Sequence, residues 1–144
     1  MISARGLRFS YGTHTLAFPD FEIGQSEPCL LLGESGSGKT TLLHILGGLR
    51  RGYEGSVRVA GLELSSLSET QLDKFRGQRM GFVFQKNHLL GALTVEENLL
   101  MAPYLSGLKA DRQRVDETLA RLNLADKRKS KVSEISQGQA QRVA

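Results

Sequence analysis

The sequence predicts an α/β fold with three parts: an N-terminal antiparallel β subdomain, a core built on a strand–loop–helix unit, and a helical subdomain. Three observations carry that expectation. A glycine-rich loop joins a short apolar run to a helical pattern. Period-2 alternation precedes it, with a further strand and turn after it. Capping signals and an apolar stripe at helical spacing fill the second half of the chain.

The loop reads Gly33-Glu34-Ser35-Gly36-Ser37-Gly38-Lys39-Thr40-Thr41, the spacing G-x-x-x-x-G-K-[ST]. Glycines let a backbone curl with its N–H groups turned inward, where they can cradle phosphate oxygens. Lys39 supplies a point charge for the terminal phosphates, and the Thr40 hydroxyl is a ligand for Mg²⁺. The helix that follows would aim its positive dipole end at the anion. Context agrees with this reading. Glu27-Pro28 is a turn, and Cys29-Leu30-Leu31-Leu32 is an apolar run long enough for a buried strand. Leu42, Leu43, Ile45, Leu46 and Leu49 then fall at helical spacing, and Gly47-Gly48 loosens the helix end.

In the N-terminal segment, Leu7, Phe9 and Tyr11 alternate with Gly6, Arg8 and Ser10, which predicts a half-buried strand over 2–11. Gly12-Thr13 turns the chain into an extended segment over 15–23, broken by Pro19. Residues 54–61 read as another strand and turn. Further on, Ser68 with Gln71 makes a capping-box pattern for a helix over 68–75. Met80-Gly81-Phe82-Val83-Phe84, ended by Gln85, reads as a core strand. A second capping box, Thr94-Val95-Glu96-Glu97, opens a helix expected to run to about Ala102 and stop before Pro103. Val115, Leu119 and Leu122 place one apolar stripe on a helix from about Asp111 to Leu122. Lys127-Arg128-Lys129-Ser130-Lys131 is a basic stretch, read as a solvated loop rather than a nucleic-acid site.

Composition narrows the function classes. With 144 residues the chain is one domain or part of one. Nineteen Lys and Arg against 15 Asp and Glu leave a net charge of +4, a mild excess that suits phosphate handling without demanding nucleic acid. The single cysteine, Cys29, excludes an internal disulfide framework. Its place in the expected strand suggests a small core hydrophobe. No apolar run approaches the ~20 residues needed to span a bilayer, and the first residues carry no secretory signal, so a cytoplasmic chain without direct membrane insertion is expected.

The stretch Ile135-Ser136-Gln137-Gly138-Gln139, followed by Ala140-Gln141-Arg142-Val143-Ala144, resembles the signature motif of ATP-binding-cassette (ABC) ATPases. The usual form there is L-S-G-G-Q followed by x-Q-R-V-A. This chain has Ile for Leu and Gln137 for the first Gly, while Ser136, Gly138 and Gln139 stay in register. A serine N-cap on an ordinary helix is the simpler role of Ser136, and it is compatible with the other. Gln85 resembles the glutamine that senses Mg²⁺ and the attacking water and faces the membrane subunit. Tyr11 resembles the aromatic that stacks on adenine. The segments Arg79–Gln85 and Leu93–Leu99 are similar to the lipoprotein-release and macrolide-export branch, with the cell-division cassettes and some importers near.

The resemblance implies a P-loop NTPase fold of the ABC ATPase type, with an incomplete parallel-sheet core. It implies ATP and Mg²⁺ as cofactors and a transport ATPase as the activity. Nucleotide contacts would fall on the phosphate loop and Tyr11, and metal contacts on Thr40 and Gln85. Residues Ser136 to Gln139 would contact ATP held by a second ATP-binding subunit in a head-to-tail homodimer. Integral membrane permease subunits would be the other partners, placing the chain on the inner face of the cell membrane.

In the family an Asp that holds Mg²⁺, a Glu that polarises water, the D-loop and the switch histidine all follow the signature. Here the last acidic residue is Glu134, and His14, His44 and His88 all precede the signature. The expectation is therefore a C-terminally truncated domain, without catalytic carboxylates, that binds ATP and hardly hydrolyses it. A fragmentary reading of a full-length subunit is the simplest origin. Two other readings compete: a non-hydrolysing nucleotide-binding fragment, and a DNA-linked ABC ATPase. The coiled coils or zinc modules usual in the latter do not occur between Lys39 and Ser136.

Overall fold

The first strand organises the N-terminal half. In the computed structural model, which describes residues 1–144, β1 (Ile2–Tyr11) is central to an antiparallel sheet. One of its edges carries β2 (His14–Ala17) beside residues 8–11 and β3 (Phe21–Ile23) beside residues 2–4. Its other edge pairs with β4 (Glu54–Val59), which continues into the short β5 (Leu62–Glu63). Of the predicted alternating set, Leu7 and Phe9 are buried and Tyr11 is exposed at the strand end; Ala4, Val57 and Val59 complete the buried face.

The β1–β4 register shifts between Arg5 and Arg8. Gly6 turns there with φ 56°, and its N–H donates to the Asp20 carboxylate at 2.7 Å. Opposite the bulge, Gly55 has φ 92°, and a Cβ on it would lie 2.5 Å from the carbonyl oxygens of both Arg5 and Gly6. Only glycine lets the two backbones approach so closely.

Helix α1 (Lys39–Leu46) follows the phosphate loop and buries Thr41, Leu42 and Ile45. Its outer Leu43 is exposed. Helix α2 (Glu69–Arg79) starts at the predicted Ser68 cap. The Gln71 side chain accepts from the Ser68 N–H at 2.8 Å, and the Ser68 hydroxyl accepts from the Gln71 N–H at 3.3 Å. It runs four residues beyond the predicted end, burying Leu72 and Phe75.

The chain divides into two compact units, Met1–Arg76 and Gly77–Ala144. The core of the second unit is Val95, Val115, Leu119, Leu124 and Val143. Helix α3 (Val95–Leu105) has the predicted capping box at Thr94, and helix α4 (Arg112–Arg121) is capped by Asp111. Helix α5 (Gln137–Val143) closes the unit. Arg128 donates to both Glu96 oxygens, at 2.9 and 2.6 Å, and to Asp116 at 2.6 Å. The basic stretch is thus partly spent inside the unit: Arg128 joins the first turn of α3 to α4.

Four expectations are corrected. Residues 29–32 and 80–84 are not strands, because neither segment finds a ladder partner. Their apolar side chains stay open to solvent, with Leu30 and Leu32 each 78% and Val83 79% exposed. A parallel strand exists only through hydrogen bonds to neighbouring strands, so an apolar run alone does not make one. Cys29 is accordingly exposed rather than a core residue. Pro103 does not stop α3, which continues to Leu105. In the last turn the missing proline N–H removes one bond, and the Ser106 N–H and hydroxyl both donate to the Ala102 carbonyl, at 3.1 and 2.8 Å.

Candidate phosphate-loop site

The site in the first unit is built on two glycines with left-handed backbone. Gly36 has φ 82° with open space around its Cβ position. Gly38, the N-cap of α1, has φ 91°, and a Cβ there would meet Leu16 Cδ1 at 2.9 Å and the Phe18 ring at 3.3 Å. The loop is therefore pressed against β2 and the residue that follows it, with no room for a side chain at the helix entrance.

That entrance carries no side-chain cap and no acidic residue in its first turn. The first N–H groups of a helix lack intrahelical partners, so those at Lys39 and Thr40 are available to an anion. The Lys39 ammonium donates to the Gly33 carbonyl at 2.8 Å and the Glu34 carbonyl at 2.5 Å. This lays its charge across the loop. Thr41, the next residue, is buried, and its hydroxyl lies 3.0 Å from the Tyr11 hydroxyl. Tyr11 and Thr41 are thereby brought together, with Tyr11 45% exposed and its ring edge against Phe9 at 4.8 Å.

These residues border a cavity of about 390 Å³ lined by Tyr11, His14 and Leu16 on one side and by Ser35, Gly36 and the run from Gly38 to Thr41 on the other. Its lining is hydroxyls, backbone, one ammonium, one imidazole and apolar surface. Glycine cradle, free helix N–H groups and Lys39 fit a polyphosphate, and the exposed tyrosine face fits a base. No group of three or more His, Cys, Asp or Glu side chains gathers to hold a metal by itself. The Thr40 hydroxyl in this lining is of the kind that can ligate Mg²⁺ beside phosphate oxygens.

The second unit holds the remaining predicted residues. Gln85 is exposed at a bend. Ser136 is the N-cap of α5: its hydroxyl accepts from the Gln139 N–H at 3.2 Å, and the Gln139 side chain accepts from the Ser136 N–H at 2.8 Å. The cap uses a lone pair of the hydroxyl and leaves its proton free to donate outward. Gln137 and Gly138 are exposed at the same end. Gln141, one turn on, donates to the Phe84 carbonyl at 3.2 Å and so ties α5 to the residue before Gln85. Sequence reasoning missed this bond, as it missed Arg50, whose guanidinium lies over both the Phe9 and Tyr11 rings.

The sequence matches the ABC transporter family over residues 17–144. The chain belongs to that family. Relatives of this ABC chain include the lipoprotein-releasing system ATP-binding protein LolD of Bacteroides thetaiotaomicron, 38% identical over all of this chain and 67% of its own length. LolD 1 of Caulobacter vibrioides is 40% identical over all of this chain and 65% of its length. The macrolide export ATP-binding/permease protein MacB 1 of Aeromonas hydrophila is 38% identical over all of this chain. The chain spans about two thirds of the LolD relatives and 23% of that MacB. Among solved structures, the ATP-binding cassette MJ0796 in a dimeric post-hydrolysis state with ADP and Pi superposes with a TM-score of 0.85. It is 29% identical over 99% of this chain and 66% of its own.

Proposed function

We propose that residues 1–144 form an ATP-binding domain of a transport ATPase of the lipoprotein-release or macrolide-export kind. The observation that carries this reading is the cavity in which the glycine cradle, Lys39 and an exposed Tyr11 face are assembled. ATP binds with its phosphates on the loop from Gly33 to Thr41 and its base on Tyr11. Lys39 neutralises phosphate charge, and Thr40 holds Mg²⁺, which supplies further charge neutralisation when bound. Gln85 is the sensing glutamine that the family resemblance implies. Ser136 to Gln139 present a hydroxyl proton and helix N–H groups to the nucleotide of a second copy, arranged head to tail. The permease subunits of such a transporter are the membrane partners, and they hold the chain at the inner face of the membrane. No helix of the chain is itself long and apolar enough to cross a membrane.

The LolD and MacB relatives and the dimeric ADP-bound cassette support this reading. A second reading is binding without turnover. Mg-ATP binding and phosphate release, measured beside Lys39→Ala, test both. Binding lost in the variant supports the site. Lys39-dependent turnover overturns the second reading. Equal binding by the variant overturns the assignment of the loop.

A further inference from the structure

Tyr11 is held from three sides, and two of them, Phe9 and Arg50, lie outside the phosphate loop. Its hydroxyl meets Thr41 at 3.0 Å, and the edge contact with Phe9 has an interplanar angle of 70°. The Arg50 guanidinium carbon lies 5.2 Å from the Tyr11 centroid and 5.1 Å from the Phe9 centroid. Arg50 sits just past the end of α1, where its own N–H and that of Leu49 both donate to the His44 carbonyl, at 3.1 and 2.8 Å. The backbone that carries the cation is therefore anchored to the helix that begins at Lys39. Tyr11 lines the phosphate-loop cavity, whereas Arg50 does not.

We propose that Arg50 is a positioning residue for the nucleotide base: it fixes the Tyr11 ring and polarises it from behind, so that the face toward the cavity is a preorganised stacking platform. The idea rests on the assignment of ATP to this cavity. Its physical content is twofold. A cation over one face draws π density toward itself, which lessens electrostatic repulsion between the opposite face and the face of a purine. A ring already held in its bound orientation also loses less freedom when the base arrives. Both effects act first on the ring face that meets the base.

The chain has three tyrosines and no tryptophan. In the full chain carrying Tyr53→Phe and Tyr104→Phe, Tyr11 is therefore the only strong emitter. The experiment measures quenching of Tyr11 by acrylamide without ligand, and dissociation constants for Mg-ATP and for magnesium tripolyphosphate. Arg50→Met and Arg50→Lys are compared in that background, with circular dichroism as a check on folding. Loss of an exposed cation–π contact corresponds to about two- to fivefold in affinity. Arg50→Met should raise the quenching constant, weaken ATP by that factor and leave tripolyphosphate unchanged. Arg50→Lys should restore most of the ATP affinity. Equal weakening of both ligands, or unchanged ATP binding, overturns the proposal while the site assignment stands. A parent chain that binds tripolyphosphate as tightly as ATP also overturns it, since the base then gains nothing from the ring. A parent chain that binds neither ligand overturns the site assignment and this proposal with it.

Discussion

Replacing Gly36 and Gly38 separately by alanine distinguishes two costs that the phosphate loop avoids. Both glycines have left-handed backbone, φ 82° and 91°. An L residue in that region costs about 1–2 kcal/mol. Around Gly36 the added methyl meets nothing within 4 Å, so Gly36→Ala bears the torsional cost alone. At Gly38 the methyl would lie 2.9 Å from Leu16 Cδ1 and within 3.4 Å of two Phe18 ring atoms. The Leu16 methyl ends a flexible side chain and can give way, so the added cost sits near the low end of the about 1–3 kcal/mol of overpacking. The loop is exposed on its outer side, so the free chain can relax the strain by opening the loop. The cost then falls on binding, which needs the closed cradle. With 1.4 kcal/mol per tenfold, Gly36→Ala should weaken Mg-ATP by about tenfold and Gly38→Ala by about a hundredfold. The thermal midpoint should change little in either. Titration calorimetry reads the affinities, and a Gly38→Ala/Leu16→Ala double variant reads the steric part, recovering about tenfold. Equal losses at the two glycines, or no recovery in the double variant, would refute the steric argument. A large fall in thermal midpoint would refute the placement of the cost on binding.

Three further outcomes are expected. Gly55→Ala puts a methyl 2.5 Å from two carbonyl oxygens that cannot swing aside, so it should destabilise the fold by about 3 kcal/mol or more in urea unfolding; a loss under about 1 kcal/mol would mean that the β1–β4 bulge adjusts freely. Hydrogen bonds from Arg128 hold the Glu96 carboxyl below its usual value of 4.5. That stability is present above about pH 4.5 and drains away as pH falls through the folded-state value, so Arg128→Met should flatten the loss of stability in acid, as read from unfolding midpoints between about pH 3 and 6; parallel profiles would count against it. Burial, then the charge of Glu63, raises the Tyr53 pKa, and the Tyr53 hydroxyl is buried without a close hydrogen-bond partner. Tyr53→Phe should therefore leave stability within about 1 kcal/mol or raise it; a larger loss would reveal a hydrogen bond that this geometry does not contain.

The parts legible in the sequence are those specified over a few consecutive residues. The loop from Gly33 to Thr41 was readable because its spacing encodes its own curvature. The caps at Ser68, Thr94 and Ser136 were readable because donor and acceptor lie three residues apart. Segments whose state depends on distant neighbours were not. Leu30 to Leu32 and Met80 to Phe84 have the apolar character of strands, but strandhood requires a pairing that no local pattern supplies. Arg128 looked like one charge in a basic run, and only the packing of α3 near α4 brings Glu96 and Asp116 to it. Arg50 gave no signal at all, because nothing in the sequence near it announces an aromatic 39 positions earlier.

The bond from Gln141 to the Phe84 carbonyl crosses 57 positions of sequence. Counted as degrees of freedom, it is one constraint shared by the two segments. While the bond is made, a roll of helix α5 is transmitted through the Gln141 side chain to the peptide group that precedes Gln85, and a flip of that peptide breaks the bond. The signature end and the Gln85 bend are therefore two handles on a shared contact, although the sequence separates them by some fifty positions.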